Sequence, residues 1–149
     1  MDVKTTFLHG DMEEEIYMKQ HEGFVMKGNK ELVCKLKKSL YGLKQSPRMW
    51  YKKFDTFIQG LGFTRRKEDH YVYFKLIGDC VIYLVLYVDD MLLVGNDKEI
   101  IQDLKTQLSS KFDMKDLGAA NYILGMEIKR DRAKRKLWLN QRKYVETIL

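Results

Sequence analysis

Apolar side chains recur along this chain at two different periods, and the places where one gives way to the other mark out its elements. Trp50, Phe54, Phe57, Ile58 and Leu61 repeat at helical spacing behind Pro47, which suits a first helical turn, and Gly62 supplies a stop. Ile101, Leu104, Leu108 and Phe112 form a second helical stripe with polar residues between them, and Asn96 and Asp97 can cap it. Between these stripes the pattern changes to apolar runs over residues 71–76 and 80–87, joined by Ile77-Gly78-Asp79 as in a hairpin, with a third strand over 91–94. Upstream, an apolar segment over 3–8 breaks at His9-Gly10-Asp11, and the acidic turn Glu13-Glu14-Glu15 leads to short strands over 16–19 and 32–36. Residues 121–129 and 136–140, on either side of a charged turn over 130–135, predict a further hairpin ahead of a C-terminal helical stub. A single proline and the lack of linkers, low-complexity tracts or repeats leave no interdomain boundary, so one mixed α and β domain is expected.

Composition narrows this only slightly. A chain of 149 residues with 45% hydrophobic residues can bury one sizeable core. The 27 Lys and Arg against 21 Asp and Glu give a formal charge of +6, which suits either a polyanionic partner or a solubilising surface. The clusters Arg65-Arg66-Lys67, Lys129-Arg130 and Arg132 to Lys136 carry the same two readings, contacts to the phosphates of a polyanion or solvated faces. Cys34 and Cys80 form neither a disulfide framework nor a metal pair and are read as core thiols of a reducing compartment. His9, His21 and His70 have no metal spacing. The longest apolar stretch, 81–87, falls far short of the roughly 20 residues of a membrane span, so a soluble intracellular protein with no membrane partner is expected.

The chemistry-bearing feature is Asp89-Asp90, which interrupts the apolar run 81–88 just before 91–94. Carboxylates beside a core are costly unless they lie in a turn, meet positive groups or hold a metal ion. A plain hairpin turn is the simplest reading. Against it, tight hairpins favour Asn-Gly or Asp-Gly, because their central residues need positive φ. Two adjacent acids at the tip of an apolar strand pair instead suit a hard divalent cation.

Tyr87-Val88-Asp89-Asp90 resembles the Tyr-X-Asp-Asp signature of reverse transcriptases. Three further blocks in the same order resemble copia-type retrotransposon polymerases. They are Asp2-Val3-Lys4-Thr5-Thr6-Phe7-Leu8-His9-Gly10-Asp11 with Glu13 to Met18, then Ser39-Leu40-Tyr41-Gly42-Leu43-Lys44-Gln45-Ser46-Pro47-Arg48-Met49-Trp50-Tyr51, then Leu117-Gly118 with Tyr122-Ile123-Leu124-Gly125-Met126-Glu127-Ile128. One four-residue match is weak, but four ordered blocks covering nearly the whole chain are specific. His21 departs from the proline common before Glu-Gly-Phe in these sequences, a change expected to loosen one turn and to touch no catalytic block.

The resemblance implies an α+β polymerase palm, an antiparallel sheet bearing the carboxylates with helices packed on one face. It implies an RNA-directed DNA polymerase in which Asp2, Asp89 and Asp90 are the catalytic aspartates and hold two Mg²⁺ ions, with Mn²⁺ as an alternative. Phe7 is the implied steric gate against the sugar 2′ position, although a Phe in an apolar segment is ordinarily core. Tyr41, Gly42, Lys44 and Gln45 are implied to line the nucleotide pocket, where composition alone reads a strand-to-helix turn with a solvated Lys. Leu124, Gly125 and Met126 correspond to the element that grips the primer. The implied partners are an RNA or DNA template with its primer and deoxynucleoside triphosphates. The resemblance further implies a palm-centred piece of a polyprotein, with the N-terminal part of the fingers, the thumb and ribonuclease H outside these 149 residues. Two other readings stand beside the polymerase: a silent remnant of a mobile element, and a nucleic-acid-binding module without catalysis.

Overall fold

The first helical stripe becomes α1 (Ser46–Gly60), which buries Met49, Trp50, Phe54 and Ile58 along one side and carries Pro47 in its first turn. Gly62 follows at φ +85, a left-handed conformation that turns the chain away from the helix at no side-chain cost. The second stripe becomes α2 (Lys98–Lys111), capped by the Asp97 carboxylate, which accepts from the backbone N–H groups of Glu99 and Ile100. Asn96, the other candidate cap, instead accepts from the Val81 N–H at 3.1 Å and ties the helix entry to the sheet. A short third helix, α3 (Arg142–Ile148), buries none of its residues. These elements come from a computed structural model, which describes residues 1–25 and 28–149.

Eleven strands form three antiparallel sheets among the described residues. They are β1 (Asp2–Val3), β2 (Tyr17–Lys19), β3 (Val33–Lys35), β4 (Thr64–Arg65), β5 (Val72–Ile77), β6 (Cys80–Tyr87), β7 (Asp90–Gly95), β8 (Met114–Lys115), β9 (Tyr122–Ile123), β10 (Met126–Asp131) and β11 (Lys136–Asn140). The main sheet has the order β4-β5-β6-β7-β1-β8, so the N-terminal strand is inserted between two later ones. β11-β10-β9 and β2-β3 make the smaller sheets.

Period-two alternation divides the main sheet into two faces. Val3, Tyr73, Ile82, Leu84, Leu86 and Met91 point to one face and are buried in a single cluster with Trp50, Phe54 and Ile58 of α1, and with Leu104 and Leu108 of α2. Both long helices therefore cover that face. The opposite face carries Asp2, Asp90 and, on the strand next to Asp90, Tyr87, which is exposed. Burying one face and leaving the other accessible is common for antiparallel sheets, and it puts the acids on the uncovered side.

The apolar segment over 3–8 divides in two: the two-residue β1 is followed by Thr5 at φ 48 and a 3-10 helix over Thr6–His9. Two expectations need correction. Neither cysteine is a core thiol. Cys34 is exposed on the β2-β3 ribbon, none of whose residues is covered, and Cys80 is half-buried at the first position of β6. The turn at His21 is intact: its φ of −66 is one proline also takes, and its ring nitrogen accepts from the Gly23 N–H.

Candidate active site

Register brings two of the three candidate aspartates together. Asp2 on β1 stands opposite Asp90 on β7, flanked by hydrogen bonds from the Val3 N–H to the Asp89 carbonyl (2.9 Å) and from the Met91 N–H to the Met1 carbonyl (2.8 Å). Those bonds lie on either side of the Asp2–Asp90 pair rather than within it. This is the antiparallel position at which side chains on one face approach most closely. On its other side Asp2 pairs with Lys115 of β8.

Asp89 belongs to the tip. Tyr87 pairs with Asp90, so β6 and β7 are joined by a two-residue connection, Val88-Asp89. The tight turn that the Asp-Asp sequence argued against does form, and the positive φ falls on Val88 (φ 56) rather than on an acid. A β-branched residue rarely occupies that region. The Trp50 indole N–H of α1 donates to the Val88 carbonyl at 2.7 Å.

The electrostatics follow from this crowding. Partial burial, followed by the charges of Asp89 and Asp2, pushes the Asp90 carboxyl above its ordinary range, and the nearby Met1 ammonium offsets part of that. The donor set is hard oxygen throughout, which suits a divalent cation such as Mg²⁺. Among the described residues, no three His, Cys, Asp or Glu side chains lie together as a ready-made cage. The backbone juxtaposes the strands that carry the acids without fixing the three carboxylates around one point.

The nucleotide-pocket candidates are distributed unevenly. Phe7 lies on the 3-10 helix just after β1, half-buried, its ring 4.8 Å from that of the exposed Tyr41. Gly42 has φ +91, and a Cβ there would meet nothing within 4 Å, so this position calls for glycine by conformation and not by close packing. Lys44 is exposed. The Gln45 amide donates to Glu14 at 2.6 Å, which ties the acidic turn to the start of α1. Glu13 and Glu15 are paired with Lys52 and Lys35, so all three acids of that turn have partners of their own. Leu124 (φ 51) and Gly125 (φ +77) make the turn between β9 and β10, and Met126 begins β10.

Sequence reasoning gave no role to Gly10, Trp50 or Lys115. Gly10 packs against α1 so closely that a Cβ would come within 2.9 Å of the Met49 Cβ and 3.1 Å of the Trp50 backbone nitrogen. Trp50 is legible as an apolar helix position and as part of the block from Ser39 to Tyr51, neither of which points to the hairpin tip, and nothing local marks Lys115 as a neighbour of Asp2. Parts of the basic clusters are internally paired, Arg65 with Asp55, Arg66 with Glu68, Lys129 with Glu127 and Lys134 with Asp131, as on a solvated face. No helix among the described residues is long and apolar enough to cross a membrane.

Residues 1–149 match the family model described as reverse transcriptase (RNA-dependent DNA polymerase). The chain is 59% identical over its whole length to the retrovirus-related Pol polyprotein from transposon TNT 1-94 of Nicotiana tabacum, covering 11% of that protein. It is 38% identical, again over its whole length, to the Pol polyprotein from transposon RE1 of Arabidopsis thaliana, covering 10% of it. A putative transposon Ty5-1 protein of Saccharomyces cerevisiae is 39% identical over 86% of this chain and 42% of its own. The chain thus spans about a tenth of the length of the two plant polyproteins. No solved structure matches it. The chain belongs to the reverse transcriptase family of copia-type retrotransposon Pol polyproteins.

Proposed function

We propose that this domain is the palm of an RNA-directed DNA polymerase, with Asp2, Asp89 and Asp90 holding the divalent ions of a two-metal nucleotidyl transfer. The observation that carries this reading is the register of Asp2 with Asp90 on the uncovered face of the main sheet, with Asp89 next in the chain. When bound, two Mg²⁺ or Mn²⁺ ions would supply charge neutralisation at the attacking and leaving oxygens. The chain's own residues would do the rest. Phe7, backed by Tyr41, would bear on the sugar of the incoming deoxynucleoside triphosphate. The segment from Tyr41 to Gln45 would line its pocket, and Leu124 to Met126 would hold the primer strand paired to an RNA or DNA template. The net charge of +6 favours that polyanion and makes its binding salt-dependent.

Primer extension on an RNA template, by the wild type beside an Asp89→Asn, Asp90→Asn double variant with Mg²⁺ or Mn²⁺, tests this reading. Extended primer from the wild type alone is the expected result. Absence of product from a folded wild type would mean that the palm chemistry is inherited but not usable by these 149 residues alone. Salt-sensitive template binding that survives the double substitution, without synthesis, would favour a binding module.

A further inference from the structure

The hairpin tip is fastened at two consecutive carbonyl groups to two different parts of the molecule. The Val88 carbonyl accepts from the Trp50 indole of α1 at 2.7 Å, and the Asp89 carbonyl accepts from the Val3 N–H of β1 at 2.9 Å. The first anchor is rigid. Trp50 is 2% exposed, and its ring is packed against Phe112, Phe54 and His9 at centroid separations of 5.1, 5.5 and 5.9 Å. Val88 is different: it is 45% exposed and holds φ 56, so its own side chain contributes little packing to keep so unfavourable a conformation in place. Strained backbone of this kind persists only where its surroundings over-determine it.

We propose that Trp50 is a positioning residue for the carboxylates: by holding the Val88 carbonyl, its indole N–H keeps the tip in its left-handed turn and sets Asp89 and Asp90 relative to Asp2. The inference rests on the reading of these acids as metal-holding. Without that donor, Val88 relaxes toward negative φ, the peptide that follows rotates, and the Asp89 carbonyl loses its alignment with Val3. Packing of the indole alone would leave no such link between α1 and the acids.

The test uses the whole chain and two readouts other than synthesis. Binding of Mn²⁺ is followed by the paramagnetic resonance of the free ion, and amide exchange of Val3 and Met91 reports on the tip without metal. The variants are Trp50→Phe, Val88→Gly, Trp50→Phe with Val88→Gly, and the Asp89→Asn, Asp90→Asn control. Trp50→Phe keeps an aromatic ring and removes the donor. It should weaken Mn²⁺ binding by about 10- to 100-fold, as losing the support of a metal ligand typically does, and should speed exchange at Val3. Adding Val88→Gly should recover most of both effects, because glycine occupies positive φ without penalty and makes the tie redundant.

Wild-type binding that Asp89→Asn, Asp90→Asn leaves intact, or no wild-type binding at all, would overturn the metal-holding reading and the inference with it. Binding abolished by that control but unchanged in Trp50→Phe would overturn the inference alone. So would losses in Trp50→Phe that Val88→Gly does not recover, since they would arise from packing. If Trp50→Phe fails to fold, replacement of Trp50 by benzothienylalanine, which puts sulfur in place of the N–H in a ring of the same shape, carries the same comparison.

Discussion

The candidate aspartates and the candidate primer-gripping turn belong to regions of very different construction. Asp2 and Asp90 lie on strands whose opposite face is sealed by Trp50, Phe54, Ile58, Leu104 and Leu108. Leu124 to Met126 belong to the β9-β10-β11 sheet, where Leu137, Trp138 and Leu139 stay exposed in succession and the α3 helix that follows buries nothing. Alternation normally hides every second residue of a half-buried strand, and β11 hides none of these. Backbone hydrogen bonds hold that hairpin in register without an apolar layer behind it. Chemistry that needs ligands placed to within about half an ångström is better served by the first construction, while a segment that follows a moving polymer can use the second.

The comparison can be broken most directly by removing one large side chain from each region. Phe54 is 0% exposed and touches Trp50, Tyr73 and Phe112. Phe54→Ala should therefore cost about 3–5 kcal/mol in denaturant unfolding. Trp138, 47% exposed, should change global stability by no more than about 0.5 kcal/mol when replaced by Ala. Equal losses from the two substitutions would show a single cooperative core reaching through β11.

A smaller effect tests how the Asp2 segment is joined to α1. Gly10 has φ −65 and ψ 135, values any residue can take, so Gly10→Ala carries no backbone strain. Reduced freedom of the unfolded chain would on its own stabilise such a variant by roughly 0.4–1 kcal/mol. The new Cβ meets the Met49 Cβ and the backbone of α1, however, and overpacking of that kind costs roughly 1–3 kcal/mol. The clash should win, with a lower unfolding midpoint in urea. A gain in stability would mean that the join between the Asp2 segment and α1 is loose.

What could be read in advance divides along the same line. The long helices and the β5-β6-β7 meander are written in local periodicity, and each forms close to where its apolar spacing puts it. The insertion of β1 between β7 and β8 is not, because two-residue strands carry no period and their pairing is decided by tertiary register. Asp89 and Asp90 stood out as polar residues interrupting an apolar run. Asp2 has no such local mark and entered only through resemblance, and the same holds for Phe7 and Tyr41. The exposure of Cys34 was missed because its ribbon has alternation-compatible residues but nothing packed on it.

The subtlest distinction is a pair of opposed pH effects at two aspartates of the same sheet end. Asp90 titrates above its ordinary range in the folded chain, so the native state binds its proton more tightly than the unfolded state. Its charge is a burden at neutral pH, and that burden lifts as pH falls through the folded and then the unfolded value. Asp116 lies at the exit from β8, where Lys105 chiefly, at 2.9 Å, and the Gly118 N–H hold its carboxyl below the usual range. Its contribution is favourable above the unfolded value of about 3.9 and is lost as pH falls through the folded one. Asp90→Asn should therefore raise the melting temperature at pH 7 and Asp116→Asn should lower it, both differences fading toward pH 2, as followed by circular dichroism melts across that range. Two losses at pH 7 would mean that Asp90 is a structural carboxylate like Asp116, held by partners of its own. A gain for Asp90→Asn would mark it as a residue kept at a cost to stability, as expected of a group retained for what it binds.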